Sequence, residues 1–237
     1  MTGRQLTAYR IQGSPIGCGA EGEVFFATER STERPLACKK RSLAPGGKSS
    51  PMRVKQAQSI AAEAAALSEL CHPNIVELVD HIFSSIDETH YFMLQRCSTD
   101  LFNHIMMGAG PGPGLEEAET KLIMRDVVRG LSFMHECGWT HNDVKPENVL
   151  LQYTPDQMGV QAAKLTDFGF SIKSEMNGAD APSFRSSVGD GTLQYMAPEV
   201  LRAAADTSLR IPEEVRQSYD TRSADVYALG VLLFVAL

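Results

Sequence analysis

Residues 141–148 read His141-Asn142-Asp143-Val144-Lys145-Pro146-Glu147-Asn148. Asp143, Lys145 and Asn148 put a carboxylate, an ammonium group and a carboxamide into one short stretch of turn-forming residues. Taken singly, Asp143 is an ordinary turn aspartate. Three further stretches follow it: Asp167-Phe168-Gly169, Met196-Ala197-Pro198-Glu199, and Asp225-Val226-Tyr227-Ala228-Leu229-Gly230. Asp167 alone reads as a helix cap or an Asx-turn. Single-residue readings leave the order and spacing of these stretches unexplained.

Working back toward the start, Ile16-Gly17-Cys18-Gly19-Ala20-Glu21-Gly22-Glu23-Val24 has the pattern G-x-G-x-x-G-x-V. Glycines without a Cβ let a backbone approach phosphates closely. The pattern alone fits a flexible hairpin equally well. A dinucleotide-binding turn uses similar glycines between a strand and a helix. Here a strand is expected after Gly22, which disfavours a dinucleotide-dependent oxidoreductase. Fifteen residues past Val24 comes Lys39, after Ala37-Cys38 on the next expected strand. From the sheet it could reach phosphate oxygens, although its neighbours Lys40 and Arg41 show that a plain surface lysine is a simple alternative. Glu63 lies on the following helix, on the face of Ile60 and Leu67. It could pair with Lys39 or be an ordinary solvated glutamate.

The first third reads as strands at Tyr9–Ile16, Glu23–Thr28, Pro35–Lys40, Ile75–Ile82 and His90–Gln95. A helix at Val54–Leu70 interrupts them, with Ile60, Ala64 and Leu67 along one face. After Gly114 the pattern turns helical, with Ile123, Val127, Leu131 and Met134 on one face and acids in the first turn. The change falls near Cys97–Leu101. Ala44–Pro51, Gly108–Gly114 and Asn177–Ser187 read as loops. No internal repeat is present.

In this order the stretches resemble the signatures of the eukaryotic-type serine/threonine protein kinase family, including its catalytic loop H-R-D-x-K-P-x-N. The likeness runs from about Tyr9 to Leu237. It implies an α+β, bilobal protein-kinase-like fold in one catalytic domain, 9–237. A small antiparallel β lobe with one main helix would cover about 9–96. A larger, mainly helical lobe would cover about 97–237 and be incomplete at the C-terminus. The implied activity is ATP-dependent transfer of the γ-phosphoryl group to serine or threonine hydroxyls of protein substrates.

The resemblance also implies roles. Phosphoryl transfer needs charge neutralisation and in-line geometry more than covalent help. Asp143 would accept or orient the substrate hydroxyl proton, and Lys145 would offset charge on the transferred phosphate. Asn148 and Asp167 would hold Mg²⁺ through oxygen. Lys39, held by Glu63, would contact the α- and β-phosphates, covered by Gly17, Gly19 and Gly22. Lys145 favours serine/threonine over tyrosine specificity. So does Gly191-Thr192, whose threonine would bridge the catalytic aspartate and lysine. Glu147 occupies a position that in some relatives meets a basic residue of the substrate. Tyr91-Phe92-Met93-Leu94-Gln95-Arg96-Cys97 resembles the last small-lobe strand and hinge. Leu94 would then back the adenine pocket, backbone groups of Gln95 and Cys97 would bind adenine, and Asp100 would contact ribose. Ile16, Val24, Ala37 and Leu150 would wall the pocket, a role that plain core packing imitates in sequence.

Three departures stand out. Asn142 replaces the family's arginine, which commonly receives an activation-loop phosphate. Phosphorylation of Ser183, Ser186 or Ser187 then has no obvious cationic anchor. Ala44–Pro51 and Arg202–Gln217 look longer than the family minimum and are expected as surface loops; the linker Tyr153–Ala163 also looks long. Finally, Ala228–Leu237 reads as a buried helix at the chain end, where the family continues with further helices. Their absence would leave the apolar Val231–Leu237 uncovered and would remove the arginine partner of Glu199. An unpaired buried carboxylate costs roughly 3–5 kcal/mol. The end fits a fragment of a longer kinase, a chain marginal alone, or one whose gap a partner covers.

Bulk properties agree. The 237 residues are 43% hydrophobic and 22% charged, enough for a real core. A net charge of −7 argues against a nucleic-acid binder. Cys18, Cys38, Cys71, Cys97 and Cys137 are odd in number and scattered, which suggests a reduced, intracellular, cytoplasmic protein. No secretory leader or membrane span is expected. A competing reading is a catalytically impaired, kinase-like nucleotide-binding or scaffold protein. The presence of Lys39, Glu63, Asp143, Asn148 and Asp167 disfavours it.

Overall fold

The computed structural model describes residues 5–19, 22–43, 50–107, 114–156, 159–174, 185–186, 191–209 and 218–237. The chain divides into two compact units. The first comprises Met1–Cys71 and Val76–Cys97, the second His72–Ile75 and Ser98–Leu237.

The first unit is built on strands β1 (Tyr9–Gly19), β2 (Gly22–Glu29), β3 (Pro35–Ser42), β4 (Leu78–Ser84) and β5 (Thr89–Gln95), with helix α1 (Pro51–Glu69) between β3 and β4. The sheet order is β1-β2-β3-β5-β4, with every pairing antiparallel. Side chains alternate between faces along each strand. One face buries Tyr9, Ala27, Leu36, Cys38, Tyr91 and Met93 as a core, with Phe25 and Val79 packed against it. Burial pushes the Cys38 thiol up to about 12. On the other face the register aligns Val24 with Lys39, Phe26 with Ala37, Lys39 with Phe92 and Ala37 with Leu94.

The glycine cluster belongs to the strands themselves, beyond the expected ends at Ile16 and Glu23. Gly17 pairs with Val24, Cys18 with Glu23 and Gly19 with Gly22. Gly22 has φ 128°, and a Cβ there would meet the Lys40 carbonyl oxygen at 2.3 Å, so the close approach of β2 to β3 at this end requires glycine. Helix α1 opens on Pro51, whose missing N–H is not needed in a first turn. Its buried face comprises Arg53, Ile60, Glu63, Ala66 and Leu67, whereas the expected Ala64 is only half-buried.

The second unit contains β6 (Thr99–Asp100), α2 (Leu101–Met106), α3 (Glu117–Glu136), β7 (Trp139–Thr140), β8 (Val149–Tyr153), β9 (Val160–Leu165), β10 (Ile172–Lys173), β11 (Arg185–Ser186), α4 (Pro198–Ser208), β12 (Tyr219–Asp220) and α5 (Thr221–Ala236). Helix α3 buries Ile123, Val127, Leu131 and Met134 as its periodicity predicts, together with Thr120, Asp126 and Gly130. Asp126 Oδ2 accepts the Ala163 N–H at 3.1 Å, tying α3 to the β8–β9 hairpin.

Several expectations are corrected. Ile75–Ile82 is not one strand: Ile75 bridges to Leu165, and the strand starts at Leu78. Asn74 decides this, because its carbonyl accepts from Leu165 N at 2.9 Å and its amide donates to the Ala163 carbonyl at 3.0 Å. Tyr153–Ala163 is mostly the β8–β9 hairpin, closed by Thr154 N–H to the Gly159 carbonyl. Arg202–Ser208 continues α4, where three consecutive alanines favour helix. Glu199 is exposed in the first turn of α4, so the cost of a buried unpaired carboxylate does not arise. Ala228–Leu237 is not uniformly buried. Ala228, Leu232 and Ala236 face inward, while Leu233, Phe234, Val235 and Leu237 are exposed, leaving the apolar surface anticipated there.

The greater part of the Ala44–Pro51, Gly108–Gly114 and Asn177–Ser187 loops, with Ser183 and Ser187, lies outside the described residues, as do 157–158 and 210–217. Ser186 lies on β11, which pairs with β12. Among the described residues no helix is long and apolar enough to cross a membrane. The five cysteines form no disulfide with one another.

Candidate active site

In the first unit the site is a buried ion cluster on the sheet face carrying Val24, Ala37 and Leu94. Lys39 projects from β3 and donates from Nζ to Glu63 Oε1 of α1 at 2.6 Å. Arg41 lies two residues along the same strand and therefore on the same face. Its Nη1 donates to Glu63 Oε2 at 2.6 Å and its Nη2 to Ser59 Oγ at 3.1 Å. Lys39, Arg41 and Glu63 are 7%, 3% and 1% exposed, so neither a surface lysine nor a solvated glutamate describes them. The strand's alternation of two could have placed Arg41 beside Lys39; reading it as one more surface base missed this.

Beside the cluster, His81 Nε2 and His90 Nδ1 meet at 3.0 Å and both rings stack with Phe92. Burial holds both imidazoles below their usual range. For His90 the charges of His81 and Arg41 add to that effect, whereas for His81 the carboxylates of Glu63 and Asp80 oppose it. Among the other expected first-unit residues, Ile16 is half exposed on β1. The Gln95 N–H donates to the Glu77 carbonyl at 2.9 Å, so a base-binding role there rests on the Gln95 carbonyl.

In the second unit a polar cluster closes around Asp143, which is 4% exposed. Thr192 donates to Asp143 Oδ1 twice, from its N–H at 2.8 Å and its hydroxyl at 2.7 Å. Asn148 Nδ2 donates to Asp143 Oδ2 at 2.9 Å and to its carbonyl at 2.8 Å. Lys145 Nζ lies 2.7 Å from Asp143 Oδ2 and donates to Thr192 Oγ1 at 2.7 Å. The threonine hydroxyl thus accepts from the lysine and donates to the carboxylate, bridging the two. Gly191 permits this closeness: its φ is 126°, and a Cβ would meet the Asn142 carbonyl oxygen at 2.5 Å.

Asp167 stands beside this cluster through backbone ties. Thr166 N–H donates to the Asn148 carbonyl at 3.1 Å, and the Thr166 carbonyl meets His141 Nε2 at 3.0 Å. Asp167 and Asn142 both adopt φ 63°, the left-handed region that Asp and Asn tolerate better than most residues. The Asn148 amide commits its NH₂ to Asp143, so a metal contact from this side chain would come from its oxygen.

The whole loop rests on Asp225 of α5, 1% exposed. Its Oδ2 accepts from His141 N at 2.9 Å and meets His135 Nε2 at 2.8 Å, and its Oδ1 accepts from Asn142 N at 2.7 Å. Sequence reasoning singled out Asp225 by its motif but not this seat beneath the loop. Asn142, in place of the family's arginine, donates from Nδ2 to Thr140 Oγ1 at 3.2 Å and to the Phe170 carbonyl at 3.1 Å. Burial, and then the charge of Glu147, raise the Tyr195 phenol above its usual range. Asp100 caps α2, accepting from Asn103 N at 2.8 Å and Asn103 Nδ2 at 2.6 Å. Leu150 is half-buried on β8.

Lys39 and Glu63 therefore belong to the first unit, and Asp143, Lys145, Asn148, Asp167 and Thr192 to the second. A family profile described as "Protein kinase domain" matches residues 10–237. The chain is 31% identical over 226 residues to CBL-interacting serine/threonine-protein kinase 15 of Arabidopsis thaliana, covering 95% of this chain and 46% of that protein. To MAP kinase-interacting serine/threonine-protein kinase 2 of Xenopus laevis it is 28% identical over 240 residues, covering 100% and 46%. To CBL-interacting protein kinase 11 of Oryza sativa subsp. japonica it is 28% identical over 236 residues, covering 99% and 41%. It thus spans rather less than half the length of these relatives. With the profile matching nearly the whole chain, in the order of the residues that meet in the two clusters, the chain belongs to the protein kinase domain family.

Proposed function

We propose that the chain carries the catalytic region of a serine/threonine protein kinase that uses ATP and Mg²⁺. The arrangement of Asp143, Lys145, Thr192 and Asn148 is the observation that carries this reading. A buried carboxylate with one oxygen held by Thr192 and the other by Asn148 and Lys145 is oriented before substrate arrives. Such pre-set geometry is what phosphoryl transfer asks of a protein. Asp143 accepts or orients the proton of the attacking serine or threonine hydroxyl. Lys145 offsets charge on the phosphoryl group in flight. Asn148 and Asp167 would hold Mg²⁺ through their oxygens, and the ion would supply neutralisation of phosphate charge.

The first unit serves the nucleotide. Lys39 meets the α- and β-phosphates, and the backbone around Gly17, Gly19 and Gly22 covers them. Ile16, Val24, Ala37 and Leu94 take the base, with Leu150, while the Gln95 carbonyl and Cys97 backbone bind its edge. Asp100 meets the ribose from the cap of α2. The partners are protein substrates bearing serine or threonine, acting in an intracellular setting.

The test is phosphate incorporation into a serine/threonine peptide by the wild-type chain against Asp143→Asn. Incorporation by the first and not the second supports the reading. A folded, nucleotide-bound wild type that transfers nothing points instead to a kinase-like scaffold.

A further inference from the structure

We propose that His104 is a positioning residue for the nucleotide's ribose: it fixes helix α2 so that Asp100 presents its carboxylate to the ribose hydroxyls. The ribose role of Asp100 rests on the nucleotide site proposed above; the hold of His104 on α2 does not. Helix α2 has 6 residues, too few to be stable without tertiary contacts. Its apolar anchor is Leu101, which is fully buried. His104 lies three residues on, so the two side chains share a helix face. The His104 ring meets two other elements of the same unit. Nδ1 lies 2.8 Å from the Tyr153 hydroxyl of β8, and Nε2 lies 3.2 Å from Glu119 Oε1 of α3. A carboxylate only accepts, so Nε2 carries a hydrogen, and in the neutral ring Nδ1 accepts from the Tyr153 hydroxyl. Burial, and then the charges of Glu119 and Asp100, raise the Tyr153 phenol above its usual range, so that hydroxyl keeps its proton. With Leu101 alone a short helix can pivot about its first turn; the polar tie of His104 at the other end removes that freedom. Asp100 follows the helix because both its oxygens are tied to Asn103, Oδ1 to the N–H at 2.8 Å and Oδ2 to Nδ2 at 2.6 Å. A carboxylate has about four lone-pair positions, which leaves room for hydroxyl donors. Their direction is set by α2, and through α2 by His104.

The experiment titrates the full chain with ATP and with 2′,3′-dideoxyATP, both with Mg²⁺, and compares their Kd values. In the parent, loss of both hydroxyls is expected to weaken binding about tenfold, the scale of a hydrogen bond to a charged group. Asp100→Ala should abolish this preference. His104→Ala should cut it at least about threefold by weakening ATP, while the dideoxy nucleotide changes by less than about twofold. A merely structural role would weaken both nucleotides alike. Tyr153→Phe and Glu119→Gln each loosen one tie; they should give intermediate preferences, and they carry the test if His104→Ala does not fold. Amide hydrogen exchange of α2 without nucleotide should speed at least about tenfold in His104→Ala, for two lost hydrogen bonds, and recover in part in His104→Gln. An unchanged preference in His104→Ala, or a parallel rise of both Kd values, overturns the proposal. A parent without the preference, or one whose preference survives Asp100→Ala, overturns it through the ribose role of Asp100 instead. Absence of phosphate transfer, with the preferences as expected, sinks the kinase reading and leaves the role of His104 standing.

Discussion

The two clusters hold a buried carboxylate by opposite means. In the first unit Glu63 lies between two full cations at the ends of long side chains, joining a strand to a helix. In the second, Asp143 is held by a backbone N–H, a hydroxyl and a carboxamide, with Lys145 as its charged donor among the described residues. Ion pairs are strong in a dry interior but weakly directional. Short neutral donors are directional and anchored near the main chain, so Asp143 has one orientation.

The sharpest way to break this contrast is Asp143→Asn. It keeps the shape and removes the proton acceptor, and phosphate transfer should fall by about 10³-fold with nucleotide binding retained. A small loss would mean that the fixed cluster is structural only. Next is Asp225→Ala, which strands the N–H groups of His141 and Asn142 beneath the loop. At about 1–3 kcal/mol for each buried orphan, a loss of about 3 kcal/mol is expected. Thermal unfolding should show it as a fall of roughly 10 °C. Thr192→Val tests the hydroxyl bridge alone, since the residue 192 N–H still reaches Asp143. A drop of about tenfold in kcat/KM is expected, from steady-state kinetics. The smallest effect is expected from replacing Ser183, Ser186 and Ser187 together by alanine, because Asn142 offers no cation to a phosphate there and instead donates to the Phe170 carbonyl. Activity should stay within about twofold; a large fall would show that another cation takes the missing arginine's place.

Much of the second cluster was legible along the chain because its members are close in sequence or carry unusual residue types. Asp143, Lys145 and Asn148 lie in one stretch, and Gly191-Thr192 marks itself by a glycine that the fold requires at φ 126°. The pairing of Lys39 with Glu63 was also legible, from a strand and a helix face. The second partner of Glu63 was not. Arg41 looks like any basic surface residue until α1 covers it. The tie of Asp126 to the β8–β9 hairpin and the seat of Asp225 escaped for the same cause. Each is an acid on a helix whose burial depends on what docks against it.

The sequence alone determined the inventory and the local conformations. It set which groups could do phosphoryl chemistry, their order, the alternation of the strands, and the sites where glycine, asparagine or aspartate can take a left-handed backbone. These follow from interactions within a few residues. The tertiary structure decided which charges are buried and with whom: Arg41 on Glu63, three donors on Asp225, Glu199 in solvent. Burial belongs to everything packed around a residue. The cost of moving a charge out of water is therefore settled only when distant segments meet.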